Sequence, residues 1–226
     1  MWIVLPVKAF DLAKQRLADA LNKAQRAQLA QAMFADVVAA LQQCADVERI
    51  VVVSADQQVL EKAQQLQLIA LAESPQCQGL NAAITEALDY VYQQGQQQAL
   101  VLHADIPLVT AADISQLCQR YKAGQVSLVS DAAADGSNAL ILPLPLTFPL
   151  AYGINSAAAH KAACLKAGIV CEELSLVNLQ LDIDNNDDLA VFKALHPQQP
   201  LNSYAFLSHL HNQTMPNTMT LSNRYH

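Results

Sequence analysis

The run Ala99-Leu100-Val101-Leu102-His103-Ala104 is apolar at five of six positions, ends on Asp105, and is followed by Pro107. A short, continuous apolar run suits a strand buried on both faces, as in a parallel sheet covered by helices. Pro107 has no N–H for a ladder, so the strand should end near Asp105. In open α/β sheets, ligands bind beyond the carboxyl ends of the strands. The pattern therefore delivers a carboxylate to the edge where chemistry would occur. A helix cap is the plainer role for Asp105, but Thr110 with Asp113 already supplies the next helix start.

Strand and helix signals alternate along the chain. Trp2–Val7 reads as a strand, and residues 9–22 as a long loop or broken helix. Asn22 caps a helix to about Leu41, with Leu29, Met33, Val37 and Leu41 as its buried stripe. Strands at Ile50–Val53 and Leu68–Leu71 flank a helix that starts at Asp56 and ends at Leu66. A turn-rich link leads to Gly79 and a helix bearing Leu80, Ile84, Leu88 and Val91, closed by Gly95. After the opening strand come a helix from Thr110 to about Lys122 and strands at Val126–Ser130 and Asn138–Leu142. Next are a helix from Ser156 to before Gly168, strands at Val170–Leu174 and Leu179–Asp184, and a helix from Asn186 to Leu195. This order predicts a mostly parallel sheet with helices on both faces, in one domain spanning 1–195. Residues 196–226 are polar and carry four of the six histidines, so they read as a loose tail, dispensable for chemistry. His209-x-His211 could suggest a metal site, but on a helix the two rings would diverge.

The 226 residues are enough for one α/β domain with a real core, and 53% of them are hydrophobic. No apolar run approaches the roughly 18 residues of a membrane span, and the N-terminus shows no signal-peptide pattern. A net charge of −7 argues against a nucleic-acid partner. Cys44, Cys77, Cys118, Cys164 and Cys171 are an odd set without C-x-x-C spacing, as expected of reduced cysteines in the cytoplasm. Against the acidic total, the first 26 residues hold Lys8, Lys14, Arg16, Lys23 and Arg26 but only Asp11 and Asp19. A local positive excess just after the first strand suits an anionic ligand such as a triphosphate. For Lys23 and Arg26 a solvated helix face is the better reading.

Leu181-Asp182-Ile183-Asp184 is the second informative stretch. On a strand, Asp182 and Asp184 would share a face, with Ile183 opposite in the core. Like charges this close call for compensation, and together with Asp105 they suit Mg²⁺. Asp184 could instead cap the last helix, but Asn185 or Asn186 can do so without it. Asp135-Gly136-Ser137-Asn138 and Tyr152-Gly153-Ile154-Asn155-Ser156 add two glycine turns with hydroxyls, the second before a helix start of the kind that binds phosphate.

Taken in order, these segments resemble a known family. They are Val7-Lys8, Ala13-Lys14-x-Arg16-Leu17, Gly79-Leu80-Asn81-Ala82-Ala83, Ala104-Asp105-Ile106-Pro107, Asp135-Gly136-Ser137-Asn138-Ala139-Leu140, Tyr152-Gly153-x-x-Ser156 with His160, and Asp182-Ile183-Asp184-x-x-x-Asp188-Leu189. The set is similar to the 2-phospho-L-lactate guanylyltransferases of coenzyme F-420 biosynthesis, over about residues 3–193. The resemblance implies a Rossmann-like three-layer α/β/α sandwich of the nucleotide-diphospho-sugar transferase type. It implies transfer of GMP from GTP to a phosphorylated three-carbon acid, with loss of pyrophosphate. By position it makes Asp105, Asp182 and Asp184 the Mg²⁺ ligands. Ser137, Gly153 and Ser156 would hold the phosphoacid, and Ser137 stands where the family usually has threonine. Lys8, Lys14, Arg16, Gly79 and Asn81 would meet the nucleotide, with Lys14 and Arg16 also serving catalysis. A homodimer and hand-over of the product to the next enzyme are further expectations. The acid could be phosphoenolpyruvate, 3-phosphoglycerate or 2-phospho-L-lactate.

Two rivals remain at this level. Sugar-nucleotide and molybdenum-cofactor nucleotidyltransferases share the architecture, but they usually carry a glycine-rich segment after the first strand. Here that segment is Val7-Lys8-Ala9-Phe10-Asp11. A non-catalytic nucleotide-binding protein would have no use for clustered carboxylates, which are costly to keep in a fold.

Overall fold

The computed structural model describes residues 1–195, 197 and 199–214. Seven strands form one sheet: β1 (Trp2–Pro6), β2 (Arg49–Ser54), β3 (Ile69–Ala72), β4 (Gln98–Leu102), β5 (Val126–Ser130), β6 (Ser137–Pro143) and β7 (Cys171–Glu173). The helices are α1 (Lys23–Gln42), α2 (Gln57–Gln65), α3 (Leu80–Gln93), α4 (Ala111–Arg120), α5 (Ser156–Lys166), α6 (Val177–Gln180), α7 (Asn186–Ala194) and α8 (Asn202–Thr214). Residues 9–22 hold two short 3-10 turns, Phe10–Leu12 and Gln15–Leu17. Among the described residues no helix is long and apolar enough to cross a membrane.

The sheet order is β3-β2-β1-β4-β6-β5-β7. β1 pairs in parallel with β2 and β4, as do β2 with β3 and β5 with β7. β6 alone runs antiparallel to both its neighbours. This is the expected mostly parallel sheet. Alternate residues of β1 show why it is covered twice. Ile3 and Leu5 pack with Phe34, Val37 and Leu41 of α1, whereas Trp2 and Val4 pack with Ile84, Leu88 and Val91 of α3. Asn22 caps α1 through a reciprocal pair with Gln25, and Thr110 caps α4 likewise with Asp113.

Three expectations need correction. The opening strand stops at Leu102, so Asp105 sits in the following turn rather than at the strand end. Its position is fixed there by Ile183 N–H, which donates to the Asp105 carbonyl at 3.1 Å. Second, Leu179–Asp184 is not a strand. Val177–Gln180 is a single helical turn, and 181–184 cross the sheet edge as a loop. The sheet already ends at β7 there, so the apolar residues bury against helices: Ile183 packs with Leu17, Leu29, Leu189 and Phe192.

Third, the tail is not loose over its described length. α8 packs on α1 and α7. Asp36 of α1, 4% exposed, accepts from Asn202 N (2.7 Å), Asn202 Nδ2 (2.8 Å), Ser203 N (2.9 Å) and Ser203 Oγ (2.5 Å). One carboxylate thus satisfies the free N–H groups that open α8. Leu201, Tyr204, Leu207 and Leu210 then recur every third residue against the Ile183 cluster. The period was present but diluted by polar neighbours, and its anchor is 166 residues away in sequence. The His211 side chain and residues 215–226 lie outside the described residues.

Candidate active site

The reversed direction of β6 builds the site. The carboxyl end of β4 and the amino end of β6 meet at one edge, in register Leu102 to Ala139. His103 N–H then donates to the Asn138 carbonyl at 3.2 Å. Asp105 and Ser137 are thereby brought to a common edge from segments some thirty residues apart.

Beside this edge opens a cleft of about 420 Å³, lined by Lys8, Lys14, Arg16, His103, Asp105 and Asp184 among others. Lys14 dominates it. Its backbone is left-handed, with φ of 56° and ψ of 41°, which non-glycine residues seldom adopt. Its ammonium donates to Asp105 Oδ2 at 2.6 Å and to Asp184 Oδ1 at 2.8 Å. Burial would lower the Lys14 pKa, but the Asp105 and Asp184 carboxylates outweigh it and raise it above its ordinary value. Asp105 is held low: burial opposes this, but the charge of Lys14 overrides it. Asp182 has no cation beside it among the described residues. Burial first, then Asp105 and Asp184, push its carboxyl up to about 6. A backbone N–H and Asn138 Nδ2, the latter at 3.4 Å, donate to it and only partly offset this. Asp188 fixes the loop by accepting from Asp184 N (2.9 Å) and Asn185 N (3.0 Å).

The three carboxylates therefore do gather, but not as a finished cage. Among the described residues no group of three acidic, histidine or cysteine side chains is arranged to hold a metal ion. The place of a cation is held by Lys14. Two observations fit the donor set to a hard divalent ion: among the described residues Asp105 Oδ1 is buried without a partner, and Asp182 lacks a counter-charge.

Lys8 and Arg16 are exposed on the cleft wall, and neither side chain has an ion-pair partner among the described residues. Gly79, with φ of 83°, is the N-cap of α3. Asn81 lies elsewhere than expected. Its amide clamps the backbone of Tyr152, with Nδ2 to the carbonyl at 3.0 Å and Oδ1 from N–H at 2.8 Å. It shapes the Tyr152-Gly153 turn and does not line the cleft. Gly153 is exposed, with φ of 141°. Ser137 and Ser156 are nearly enclosed, their oxygens 3.1 Å apart. Ser137 also meets His160 Nδ1 at 2.9 Å. The turn before Ser137 closes on Asp131, which accepts from Asp135 N and Gly136 N at 2.8 Å each. A Cβ on Gly136 would lie 2.8 Å from that carboxylate, so any larger residue would push Asp131 away from these two bonds.

Sequence reasoning gave no hint of Asp36, suggested only packing for His103, and showed Asp188 only as an acid at the start of the last helix. His160 and Asn138 were visible only as members of motifs. His103 Nε2 is buried and unpartnered among the described residues at the cleft wall, and its ring lies tilted against Tyr152, centroids 5.3 Å apart.

A family model described as "Guanylyl transferase CofC like" matches residues 1–223. The chain belongs to that family. It is 34% identical to a phosphoenolpyruvate guanylyltransferase of Conexibacter woesei over 194 residues, 85% of this chain and 86% of that one. It is 33% identical to a 2-phospho-L-lactate guanylyltransferase of Methanothermobacter thermautotrophicus, over 82% and 81% of the two chains. A 3-phospho-D-glycerate guanylyltransferase of Colwellia psychrerythraea matches at 31%, over 85% and 91%. The fold is that of a putative nucleotide-diphospho-sugar transferase from Desulfovibrio desulfuricans G20. The TM-score is 0.74 at 14% identity, over 93% of this chain and 95% of that one. As a CofC-like guanylyl transferase, the chain is a nucleotidyltransferase on a nucleotide-diphospho-sugar transferase fold.

Proposed function

We propose that this CofC-like enzyme transfers GMP from GTP to a phosphorylated three-carbon acid, releasing pyrophosphate, in coenzyme F-420 biosynthesis in the cytoplasm. The observation that carries the reading is the cleft itself. Free cations, Lys8 and Arg16, stand on the wall of a cavity whose floor is the Lys14-bridged carboxylate cluster. The hydroxyl pair Ser137 and Ser156 is buried at the same sheet edge, beside this cleft and not among its lining residues.

In the reaction, a phosphate oxygen of the acid forms a bond to the α-phosphorus of GTP. The bond from that phosphorus to the bridging oxygen breaks, and its electron pair leaves with pyrophosphate. The attacking oxygen is already anionic, so no general base is needed. Catalysis is then positioning and charge neutralisation. Arg16 offers a bidentate fork to the triphosphate, and Lys8 and Lys14 offer point charges. Asp105, Asp182 and Asp184 would hold Mg²⁺, which supplies further neutralisation of phosphate charge when bound. For Lys14 this means exchanging carboxylate partners for phosphate oxygens.

Pyrophosphate release, followed with GTP and phosphoenolpyruvate, 3-phosphoglycerate or 2-phospho-L-lactate in turn, tests the reading. We expect turnover with at least one acid, dependent on magnesium. No release with any of them would refute it, and faster release with ATP or CTP would refute the base assignment.

A further inference from the structure

His160 lies outside the proposed contacts but is locked behind them. Its ring is fully buried and stacks edge-on against Tyr152 at 4.7 Å. Ala151 N–H donates to its Nε2 at 3.0 Å. A backbone amide can only donate, so Nε2 carries no proton. Burial pushes the ring down to about 4, against a nearby Ser156 carbonyl, so it is neutral at pH 7. A neutral imidazole has one N–H. It therefore sits on Nδ1 and donates to Ser137 Oγ at 2.9 Å. The opposite tautomer would set two protons against each other at Ala151 and bury both unsatisfied.

The fixed tautomer has a consequence for the hydroxyls. Ser137 and Ser156 carry two protons between them and share one hydrogen bond. The Nδ1 proton has already filled a lone pair on Ser137. Whichever serine makes the shared bond, one hydroxyl proton is left over. Ser156 Oγ donates to Ser137 Oγ, so Ser137 accepts from both the ring and Ser156, its own proton is left for a further acceptor, and the pair ends in a donor.

We propose that His160 is a positioning residue that keeps the Ser137–Ser156 pair as a donor-ended chain, matched to an anionic oxygen of the phosphorylated acid. Such an oxygen only accepts, and a hydrogen bond to an ionised group is about twice as strong as a neutral one. The inference rests on the proposed function for the identity of the acid, but the tautomer does not.

Two measurements test it. Nitrogen-15 NMR of the labelled full chain, without ligand, should give the Nδ1–H imidazole pattern for His160 throughout the neutral range. An Nε2–H pattern or an imidazolium would overturn the inference. In steady-state assays, His160→Leu should raise KM for the preferred acid by roughly 10- to 100-fold, as expected for a lost bond to a charged group, and leave KM for GTP unchanged. His160→Asn, which keeps a donor near the Nδ1 position, should recover part of the loss. Equal rises in both KM values, or a lower Tm with neither KM changed, would make His160 merely structural. Wild-type turnover with the wrong tautomer sinks this inference alone. Failure to turn over any acid sinks the proposed function, and this inference with it.

Discussion

The ammonium of Lys14 lies 2.6 Å from Asp105 Oδ2 although 91 residues separate them, and the left-handed backbone of Lys14 is what aims it there. A second bond, to Asp184, makes this one lysine the counter-charge for two carboxylates. Lys14→Ala should therefore leave Asp105 and Asp184 facing each other unpaired. We expect a lower Tm without divalent ions, and a larger rise in Tm on adding magnesium than the wild type shows. Calorimetry across a magnesium titration measures both. A variant whose Tm ignores magnesium would argue against these carboxylates as ligands.

Asp182 gives a pH dependence of definite sign. Its folded pKa, about 6, lies above the ordinary 3.8, so the fold favours the protonated form. That contribution is fully present below 3.8 and is lost as pH rises through about 6. Without divalent ions, Asp182→Asn should raise Tm above that pH and leave it unchanged in acid, while abolishing turnover. Melting curves of both proteins over pH check the sign. A stabilisation equal at all pH values would exclude relief of charge as its cause.

Arg16 has a functional case and no structural one. Its side chain is exposed on the cleft wall without a partner among the described residues. Arg16→Ala should lower kcat/KM for GTP by on the order of 2–4 kcal/mol in transition-state stabilisation, with Tm unchanged. Kinetics beside a melting curve would separate the two. A large fall in Tm with near-normal turnover would move the triphosphate site elsewhere.

The docked α8 makes the C-terminal region more than a tail. Leu207 is 3% exposed, in the cluster that holds Leu17 three residues past the 3-10 cap Lys14, and Ile183 between Asp182 and Asp184. Leu207→Ala should cost about 2–4 kcal/mol by denaturant unfolding. Ending the chain after residue 200 should lower both stability and kcat/KM, because both loops of the cleft lose their support. Full activity of that truncated chain would show that the loops hold themselves.

Most of the sheet was legible because its strands are buried on both faces and read as continuous apolar runs. The caps at Asn22, Asp56 and Thr110 were legible because a cap is a local bargain between residues three apart, and the last helix's cap was narrowed to Asn185 or Asn186, of which the structure uses Asn185. Leu179–Asp184 was misread as a strand because its alternation fits either a pleat or a helical turn and loop pinned at Ile183. Only the neighbouring helices decide that. In the same way, Asn81 looked like a nucleotide ligand, yet its amide is spent on Tyr152, 71 residues away. No local pattern announces such a partner. The carboxylates, by contrast, were found from residue type and position, although their common counter-charge, Lys14, was not foreseen.

The antiparallel strand β6 also divides the labour of the fold along the sequence. Lys8, Lys14, Arg16 and Asp105 come from the first half of the chain, whereas Ser137, Gly153, Ser156 and His160 fall within 24 consecutive residues after β5. The segment proposed to hold the acceptor thus spans the loop after β5, β6 and the first turns of α5, and is tied to the other half by the β4–β6 ladder and by Asn81. Under the proposed function, exchanging residues 131–160 among relatives named for different acids would graft Ser137, Gly153, Ser156 and His160 together while leaving Lys8, Lys14, Arg16 and Asp105 in place.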